Sequence, residues 1–357
     1  MNVSSNTPHQ ARLIAVDMMK TLAIFFMILA HVVIMYGTPA AIYSDFSLGL
    51  AFVAEGIGAP AFIFAMGLSV VLASKKTAYQ IGMRGLLLFV GGYVLNFLKF
   101  YPTAKWFKTL PVSLFADMGL TDNATGLWSF LGIADILQFA AIAYVICAFL
   151  HRYVDKLIGV GMLVTLLFFV GAPYLYREGV SPDNYFLQLL YGKSQRVYFA
   201  LLPWLGFAIS GMAVGDFIKK QANLPEHWPL YLAIAGMGMI LLGLGLILND
   251  FEFYFGSDYY HRGTGALIMY MGQLLLSLSL YHRVSKYTPG ALRDFFAYCS
   301  KNVTAIYVIQ WVLIYWCWCF IPYASQPWSS LWLLVVWFSA LTLGLVFCIQ
   351  QLMRINK

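Results

Sequence analysis

The sequence predicts an all-α polytopic membrane protein, and two observations lead to that prediction. The chain has 357 residues, of which 61% are hydrophobic and only 10% are charged, whereas about a quarter of the residues in a soluble domain are charged. Its apolar residues also fall into runs long enough to cross a bilayer. We therefore expect about ten transmembrane helices in a single integral membrane domain that covers residues 1–357.

The apolar segments are separated by polar connections. We place them at residues 17–36, 48–73, 81–100, 127–150, 154–175, 197–218, 228–248, 262–282, 296–319 and 329–351. Lys and Arg are more frequent in the connections on the N-terminal side than in those on the opposite side. Because these residues are enriched in cytoplasmic loops, we expect both termini to be cytoplasmic.

The first segment carries titratable groups that are costly inside an apolar run. It contains Asp17, Lys20 and His31, and ionisable residues within membrane segments indicate function by default. Lys20 and His31 are separated by about three helical turns, so they project from one stripe, with Asp17 about 40° away. We expect Asp17 and Lys20 at the cytoplasmic surface. His31 then lies in the outer half of the membrane, where a neutral imidazole could act as a general base.

Two later segments add carboxylates near the expected depth of the histidine. Glu55 lies shortly before Pro60 in a glycine-rich stretch, which predicts a kinked or locally open helix. Asp135 in the fourth segment lies three residues before Gln138, so the two side chains should share a helix face. Either carboxylate could support the histidine. Glu55 could equally be a hydrated group at a helix mouth, and Asp135 an interhelical hydrogen-bonding partner.

A substrate that carries its own activated acyl group would need only a base, an oriented acceptor and a cationic anchor. The sequence lacks the motifs of serine hydrolases, P-loop ATPases, zinc peptidases and Rossmann enzymes, and it shows no metal-ligand spacing. Acyl-coenzyme A fits these requirements. We assign its binding to five charged residues near the cytoplasmic face: Asp17, Lys20, Lys75, Lys76 and Arg84. For acceptor binding we select Trp128, Gln138, Asn302 and Gln310.

The N-terminal pattern Arg12…Asp17-x-x-Lys20…His31 resembles the start of the transmembrane acyltransferase superfamily. That group includes the acyltransferase-three membrane O-acyltransferases and the heparan-alpha-glucosaminide N-acetyltransferase family. The Lys20-x10-His31 spacing is similar to the Arg/Lys-x10-His signature of the former, in which the histidine is assigned to catalysis. The stretches that are more similar to bacterial relatives of the latter lie at residues 58–67, 132–138, 202–204 and 301–307.

Three positions depart from the pattern of these families. Gln310 stands where many relatives carry His, Lys20 stands where Arg is commoner, and Thr21 stands where Gly usually follows that Arg. The resemblance nevertheless implies a ten-helix bundle with a central pore, in the bacterial inner membrane. It also implies an O- or N-acetyltransferase that moves an acetyl group from cytoplasmic acetyl-CoA to an extracytoplasmic glycan or other small acceptor, with His31 as general base.

The expected partners are therefore acyl-CoA, a glycan or other small acceptor, and membrane lipids, with a homodimer left open. We expect no nucleic acid, no metal and no permanently bound cofactor. Two other function classes stay open. His31, Glu55 and Asp135 could form the proton relay of a proton-coupled secondary transporter, although no internal repeat is evident. Gln310 in place of a histidine would also suit a catalytically silent receptor or scaffold.

Overall fold

The computed structural model describes residues 13–118, 124–153, 158–177, 180–220, 227–256 and 258–355. Arg12 of the N-terminal pattern lies outside these ranges. The α-helices are α1 (Ile14–Tyr36), α2 (Pro39–Ile42), α3 (Asp45–Ala54), α4 (Ala59–Leu72), α5 (Ala78–Tyr101), α6 (Val112–Asp117), α7 (Ala124–Leu131), α8 (Ile136–Tyr153), α9 (Ile158–Leu175), α10 (Tyr185–Gln188), α11 (Leu201–Lys220), α12 (Trp228–Asn249), α13 (Phe251–Phe255), α14 (Thr264–Ser285), α15 (Gly290–Lys301), α16 (Val303–Trp316) and α17 (Trp328–Ile355). A π-helical turn at Pro102–Trp106 extends α5, and 3₁₀ turns occupy Tyr259–His261 and Cys317–Cys319.

The prediction of a polytopic helical membrane protein is confirmed. In the described part of the chain, eight helical segments are long and apolar enough to span a bilayer: Ile14–Tyr36, Asp45–Leu72, Ala78–Trp106, Ile136–Tyr153, Leu201–Lys220, Trp228–Asn249, Thr264–Ser285 and Trp328–Arg354. A ninth span results if α15 and α16, which bend by 73° relative to each other, are counted together. The segment predicted at 154–175 forms the shorter apolar helix α9. Each of the ten predicted segments thus contains a helix, although not each is a full straight span.

The buried centre of the protein is formed by α11 and α14. α11 packs along α4 and α9, and α14 packs along α12. The approach of α4 to α11 depends on glycine, because a Cβ atom on Gly211 would lie 2.0 Å from the carbonyl oxygen of Phe64. Small residues permit this kind of close backbone contact between membrane helices. The outer helices α12 and α17 instead leave apolar faces exposed.

Two of the spans are broken in the middle of the sequence runs that predicted them. Residues 55–58 separate α3 from α4, as Pro60 and the nearby glycines predicted. Residues 132–135 separate α7 from α8, whereas the sequence predicted one continuous helix over 127–150. Non-helical backbone at membrane depth is tolerated only where it is buried in protein or lines a cavity. Both breaks therefore point to the interior of the protein.

Hydrogen bonds from other parts of the chain explain the unexpected break at 132–135. The Ala134 N–H group donates to the carbonyl of Arg196 at 2.8 Å, and the Tyr198 N–H group donates to the carbonyl of Ala134 at 2.9 Å. The Asn96 amide donates to two carbonyl groups beside the break, at 3.2 and 2.6 Å. Backbone groups that a continuous helix would have paired are thus satisfied by distant residues.

Candidate active site

His31, Glu55 and Asp135 line one cavity of about 290 Å³. The cavity lies among α1, α3, α4, α8 and α16, and most of its wall is apolar or aromatic. Its aromatic members are Phe26, Phe199, Tyr259, Tyr260, Tyr307, Trp311 and Trp328. We call it the aromatic cavity. The structure thus brings together the three residues that the sequence analysis selected for catalysis, although they come from three separate apolar segments.

A second cavity, of about 150 Å³, lies toward the N-terminal end of α1. We call it the basic cavity because of its basic members, which are Lys20, Lys75, Lys76, Arg84, His151 and Arg152. Four of the five residues selected for donor binding line it. Asp17, buried one turn before Lys20, does not. The sequence analysis missed His151 and Arg152, whose signal was a His-Arg pair at the C-terminal end of the fourth apolar segment.

The two cavities are lined by the same four helices, α1, α4, α8 and α16. On α4, Ala59 lines the aromatic cavity and Phe62 lines the basic one. On α16, Tyr307 lines the aromatic cavity and Thr304 the basic one. Three residues of helix correspond to about 5 Å along its axis. Only about one helical turn of protein therefore separates the two cavities.

The ring of His31 is held by three residues of α16. It stacks on the indole of Trp311, with ring centroids 3.9 Å apart, and meets the ring of Tyr307 edge-on at 6.2 Å. The His31 Nδ1 atom lies 3.4 Å from the Nε2 atom of Gln310. Gln310 is fully buried, and among the described residues its Oε1 atom has no hydrogen-bond partner. A half-turn of this amide would let Oε1 accept from Nδ1–H, which leaves the other imidazole nitrogen, Nε2, free to act as a base.

Asp135 caps the start of α8 and contacts Tyr307 in the aromatic cavity. Its Oδ1 atom accepts from the Ile136 N–H group at 2.7 Å, while its own N–H group donates to the side chain of Gln138 at 3.1 Å. The bond from the Asp135 N–H group to the Gln138 side chain is one half of a capping box, so the Asp-x-x-Gln spacing was a helix-start signal. The Tyr307 hydroxyl donates to Asp135 Oδ2 at 3.2 Å. Asp135 is therefore connected to His31 through Tyr307.

Glu55, at the break between α3 and α4, forms an ion pair with Arg262. The guanidinium group donates to the two carboxylate oxygens of Glu55, at 2.6 Å from Nη2 to Oε1 and 3.0 Å from Nε to Oε2. The Tyr270 hydroxyl also donates to this carboxylate. Among the described residues, neither Glu55 nor Asp135 hydrogen-bonds directly to His31. A bidentate pair of this kind fixes the orientation of both partners, so Glu55 braces its helix break against the start of α14.

The loop that leads to Arg262 is held by a second acidic residue, Asp258. Its carboxylate accepts from the backbone N–H groups of Tyr260 and His261, at 3.0 and 3.2 Å, and from the His261 ring at 2.8 Å. Burial acts to raise the pKa of Asp258, but the hydrogen bond and charge of His261, with the charge of Lys193, outweigh it and lower the pKa to about 2. Asp258 is therefore ionised at physiological pH and keeps the loop folded.

Lys99 is a buried cation beside the aromatic cavity that the sequence analysis did not select. The residue is only 4% exposed, and its ammonium group lies 4.8 Å from the ring centroid of Trp311, with Phe100 and Tyr315 at 5.0 and 5.5 Å. None of the ion pairs in the described part of the chain involves it. Its charge is thus stabilised by aromatic faces. Because Trp311 also stacks on His31, the ammonium and the imidazole share one indole as a neighbour.

None of the four residues selected for acceptor binding lines either cavity, and Gln310 reaches the site only through its contact with the His31 ring. Trp128 is exposed on α7, and Gln138 is buried at the start of α8. Asn302 lies at the bend between α15 and α16, where its amide donates to the carbonyl of Tyr298 at 2.8 Å and accepts from the side chain of Gln350. Substrate contact by all four residues stays a prediction.

The model of the heparan-alpha-glucosaminide N-acetyltransferase catalytic family matches residues 12–244 of the chain. No curated protein sequence gives a significant match. The matched region includes His31, Glu55, Asp135 and most of the basic cavity. It ends within α12, before Arg262 and before the residues of α16 that hold the His31 ring.

We expect Arg262→Met to destabilise the protein, because it leaves the Glu55 carboxylate largely buried without its cation. The loss should be about 3 kcal/mol and should lower the Tm in detergent. Combining it with Glu55→Gln should recover most of the loss, since no unpaired charge then remains. Arg177→Met, which removes an exposed arginine, is the matched control. A wild-type Tm for Arg262→Met would show that the ion pair does not hold the break.

Proposed function

The chain belongs to the heparan-alpha-glucosaminide N-acetyltransferase catalytic family, and on that premise we propose that it transfers an acetyl group across the membrane. The family and the apolar helices support a membrane acetyltransferase as the general class. In our proposal the donor is acetyl-CoA, bound from the cytoplasm of a bacterial cell at its inner membrane. The acceptor is the hydroxyl or amine of an extracytoplasmic glycan or similar small molecule, and His31 is the base.

The observation that carries this proposal is the proximity of the basic and aromatic cavities. A CoA molecule carries phosphates at one end and the thioester at the end of a thin pantetheine arm. The basic cavity offers Lys and Arg side chains to phosphates, which prefer such partners. The aromatic cavity, about one helical turn away, holds a histidine within a mostly apolar and aromatic wall. Donor and acceptor could thus approach one reaction centre from opposite ends of the same four helices.

The chemistry needs one base and one leaving group. Neutral His31 takes a proton from the acceptor hydroxyl or amine, and the acceptor oxygen or nitrogen attacks the thioester carbonyl carbon. The C–S bond breaks, and the departing CoA thiolate takes the proton from the imidazolium, which restores the base. In this proposal Gln310 is a positioning residue for the ring, and Asp135 supports it through Tyr307.

Lys99 supplies a fixed positive charge near this reaction centre. Negative charge develops on the thioester oxygen as the acceptor attacks, and preorganised positive charge in a water-poor site stabilises it. The Lys99 ammonium lies over three aromatic rings and forms no ion pair in the described part of the chain, and the Asp135 carboxylate attracts it at longer range. We propose that the charge of Lys99 lowers the barrier to transfer.

We expect His31→Ala to abolish acetyl transfer, because the acceptor then loses its base. Incubation of the purified protein with radiolabelled acetyl-CoA should show CoA release and label transfer reduced by about 100-fold or more. His227→Ala, at an exposed position outside both cavities, is the control. Unchanged donor turnover and transfer in His31→Ala would refute the mechanism. Proton-coupled uptake into liposomes that Asp135→Asn abolishes, without any transfer, would identify a transporter instead.

We expect Arg84→Gln and Lys75→Gln each to raise the KM for acetyl-CoA with little change in kcat. A charge-assisted hydrogen bond contributes about 1.5–3 kcal/mol, so each substitution should raise KM roughly tenfold or more. Lys105→Gln, which removes an exposed lysine outside the basic cavity, should leave KM unchanged. If Arg84→Gln and Lys75→Gln both keep the wild-type KM for acetyl-CoA, as the control does, the CoA phosphates bind elsewhere.

We expect Lys99→Met to lower kcat/KM by about tenfold or more, equivalent to ~1.4 kcal/mol of the barrier. The Tm should not fall, because methionine fills the space and removes a costly buried charge. Lys99→Arg, which keeps the charge, should retain more activity than Lys99→Met. Wild-type kcat/KM in Lys99→Met would exclude an electrostatic role for this lysine.

A further inference from the structure

One wall of the aromatic cavity opens to the outside of the protein between α1 and α3. The residues that α1 contributes to the cavity around His31 are all apolar: Phe26, Met27, Leu29, Ala30, Val33 and Ile34. Those from α3, apart from Ser47 near its start, are also apolar: Leu50, Ala51 and Ala54. Ala30 is exposed and Ile34 is 49% exposed, although both line the cavity. Residues that are exposed and also line a cavity mark its mouth, which we call the α1–α3 slot.

The α1–α3 slot lies within a membrane span and follows α1 for about 12 Å, from Phe26 to Ile34. The outer surface beside it is also apolar, since Leu48 and Val53 of α3 are each 55% exposed. α3 contacts α17 through an edge-to-face contact of Phe46 with Trp328, whose ring centroids are 5.0 Å apart. Such a surface is typical of contact with lipid. The slot therefore connects the space around His31 to the hydrocarbon of the bilayer.

We propose that the α1–α3 slot admits the hydrocarbon chain of a lipid-linked acceptor, whose polar reacting group then lies at His31. This inference rests on the proposed function and narrows its acceptor to a class. The walls of the slot suit an alkyl or isoprenyl chain, while the polar groups that could meet a sugar lie deeper, at His31 and Asp135. An acceptor that resides in the bilayer needs a lateral entrance.

The donor does not need such an entrance. Acetyl-CoA is soluble in water, and in the proposed function it enters through the basic cavity. The slot also has no Lys or Arg among its lining residues that would attract phosphates. The lateral opening is therefore assigned to the acceptor rather than to CoA.

A photolabelling experiment tests the slot without relying on activity. The protein is placed in lipid nanodiscs, and a dodecyl glucoside with a diazirine in its alkyl chain is added and irradiated. We expect the labels on residues that line the slot, such as Ala30, Ile34 and Ala51, and not on Val53. Excess dodecyl glucoside should prevent this labelling, and methyl glucoside should not. Ala51→Trp, which fills the slot, should reduce this labelling by about tenfold, equivalent to ~1.4 kcal/mol. Val53→Trp on the lipid-facing side of α3 is the matched control. Labelling that is equal on Val53 and Ala51 would mean bulk lipid contact only and would overturn the proposal.

Transfer assays with the same acceptors separate failure of this inference from failure of the proposed function. Radiolabelled acetyl-CoA should acetylate dodecyl glucoside with a kcat/KM about tenfold or more above that for methyl glucoside. Ala51→Trp should lower kcat/KM for dodecyl glucoside more than for methyl glucoside and so remove the preference, whereas Val53→Trp, outside the cavity lining, should leave both values unchanged. His31-dependent transfer with no preference and no slot labelling would overturn the inference and leave the proposed function standing. Slot labelling without His31-dependent transfer would support the slot and refute the function.

A third set of assays asks whether the hydrocarbon chain in the α1–α3 slot belongs to the donor rather than to the acceptor. Octanoyl-CoA and acetyl-CoA are compared as donors, each with methyl glucoside as the acceptor. We expect octanoyl-CoA to be no better a donor than acetyl-CoA. A preference for octanoyl-CoA that Ala51→Trp abolishes would assign the slot to the acyl chain of the donor and overturn the acceptor assignment.

Discussion

The architecture depends on one constraint, which is that backbone N–H and C=O groups cannot go unpaired in hydrocarbon. Two apolar runs contain helix breaks, at 55–58 and 132–135. The groups exposed at each break need interaction partners from other parts of the chain. The second break pairs with the backbone of Arg196 and Tyr198 and with the side chain of Asn96. The first is braced by the ion pair between Glu55 and Arg262. Both breaks place a carboxylate beside the cavity that contains His31, so the proposed reaction centre is built from the places where regular helix stops.

The three charged side chains in this region are stabilised by different physical means. Glu55 has a guanidinium partner, whereas Asp135 accepts a hydrogen bond at a helix N-terminus, where the helix dipole favours negative charge. Lys99 lies over the faces of aromatic rings, and the carboxylate that acts on it, Asp135, does so at longer range than an ion pair. Cation–π contacts offset part of the desolvation of an ammonium group and do not cancel its charge. Lys99 is therefore the least compensated of the three, and its field extends into the cavity.

Much of the fold and part of the site could be predicted from the sequence. Hydropathy located the helices, and the cost of titratable groups in apolar runs singled out His31, Glu55 and Asp135, which share a cavity. The break before Asp135 was missed because the apolar run continues through it, and its local capping signal is short. Arg262 was missed because it pairs with a residue 207 positions away. Lys99 resembles an ordinary interfacial lysine, and its burial depends on aromatic residues of α16 that only the fold brings near it.

The thin layer between the basic and aromatic cavities has a consequence for the membrane as an electrical insulator. Between the two cavities, a layer of protein about one helical turn thick must block the passage of protons and ions. The residues beside that layer include Phe62 and Leu137 on one side and Ala59 and Ile136 on the other. A narrow apolar constriction resists hydration and blocks ions. In the proposed function a neutral acyl group crosses this layer without opening a conductive path, so the transfer would not dissipate a membrane potential.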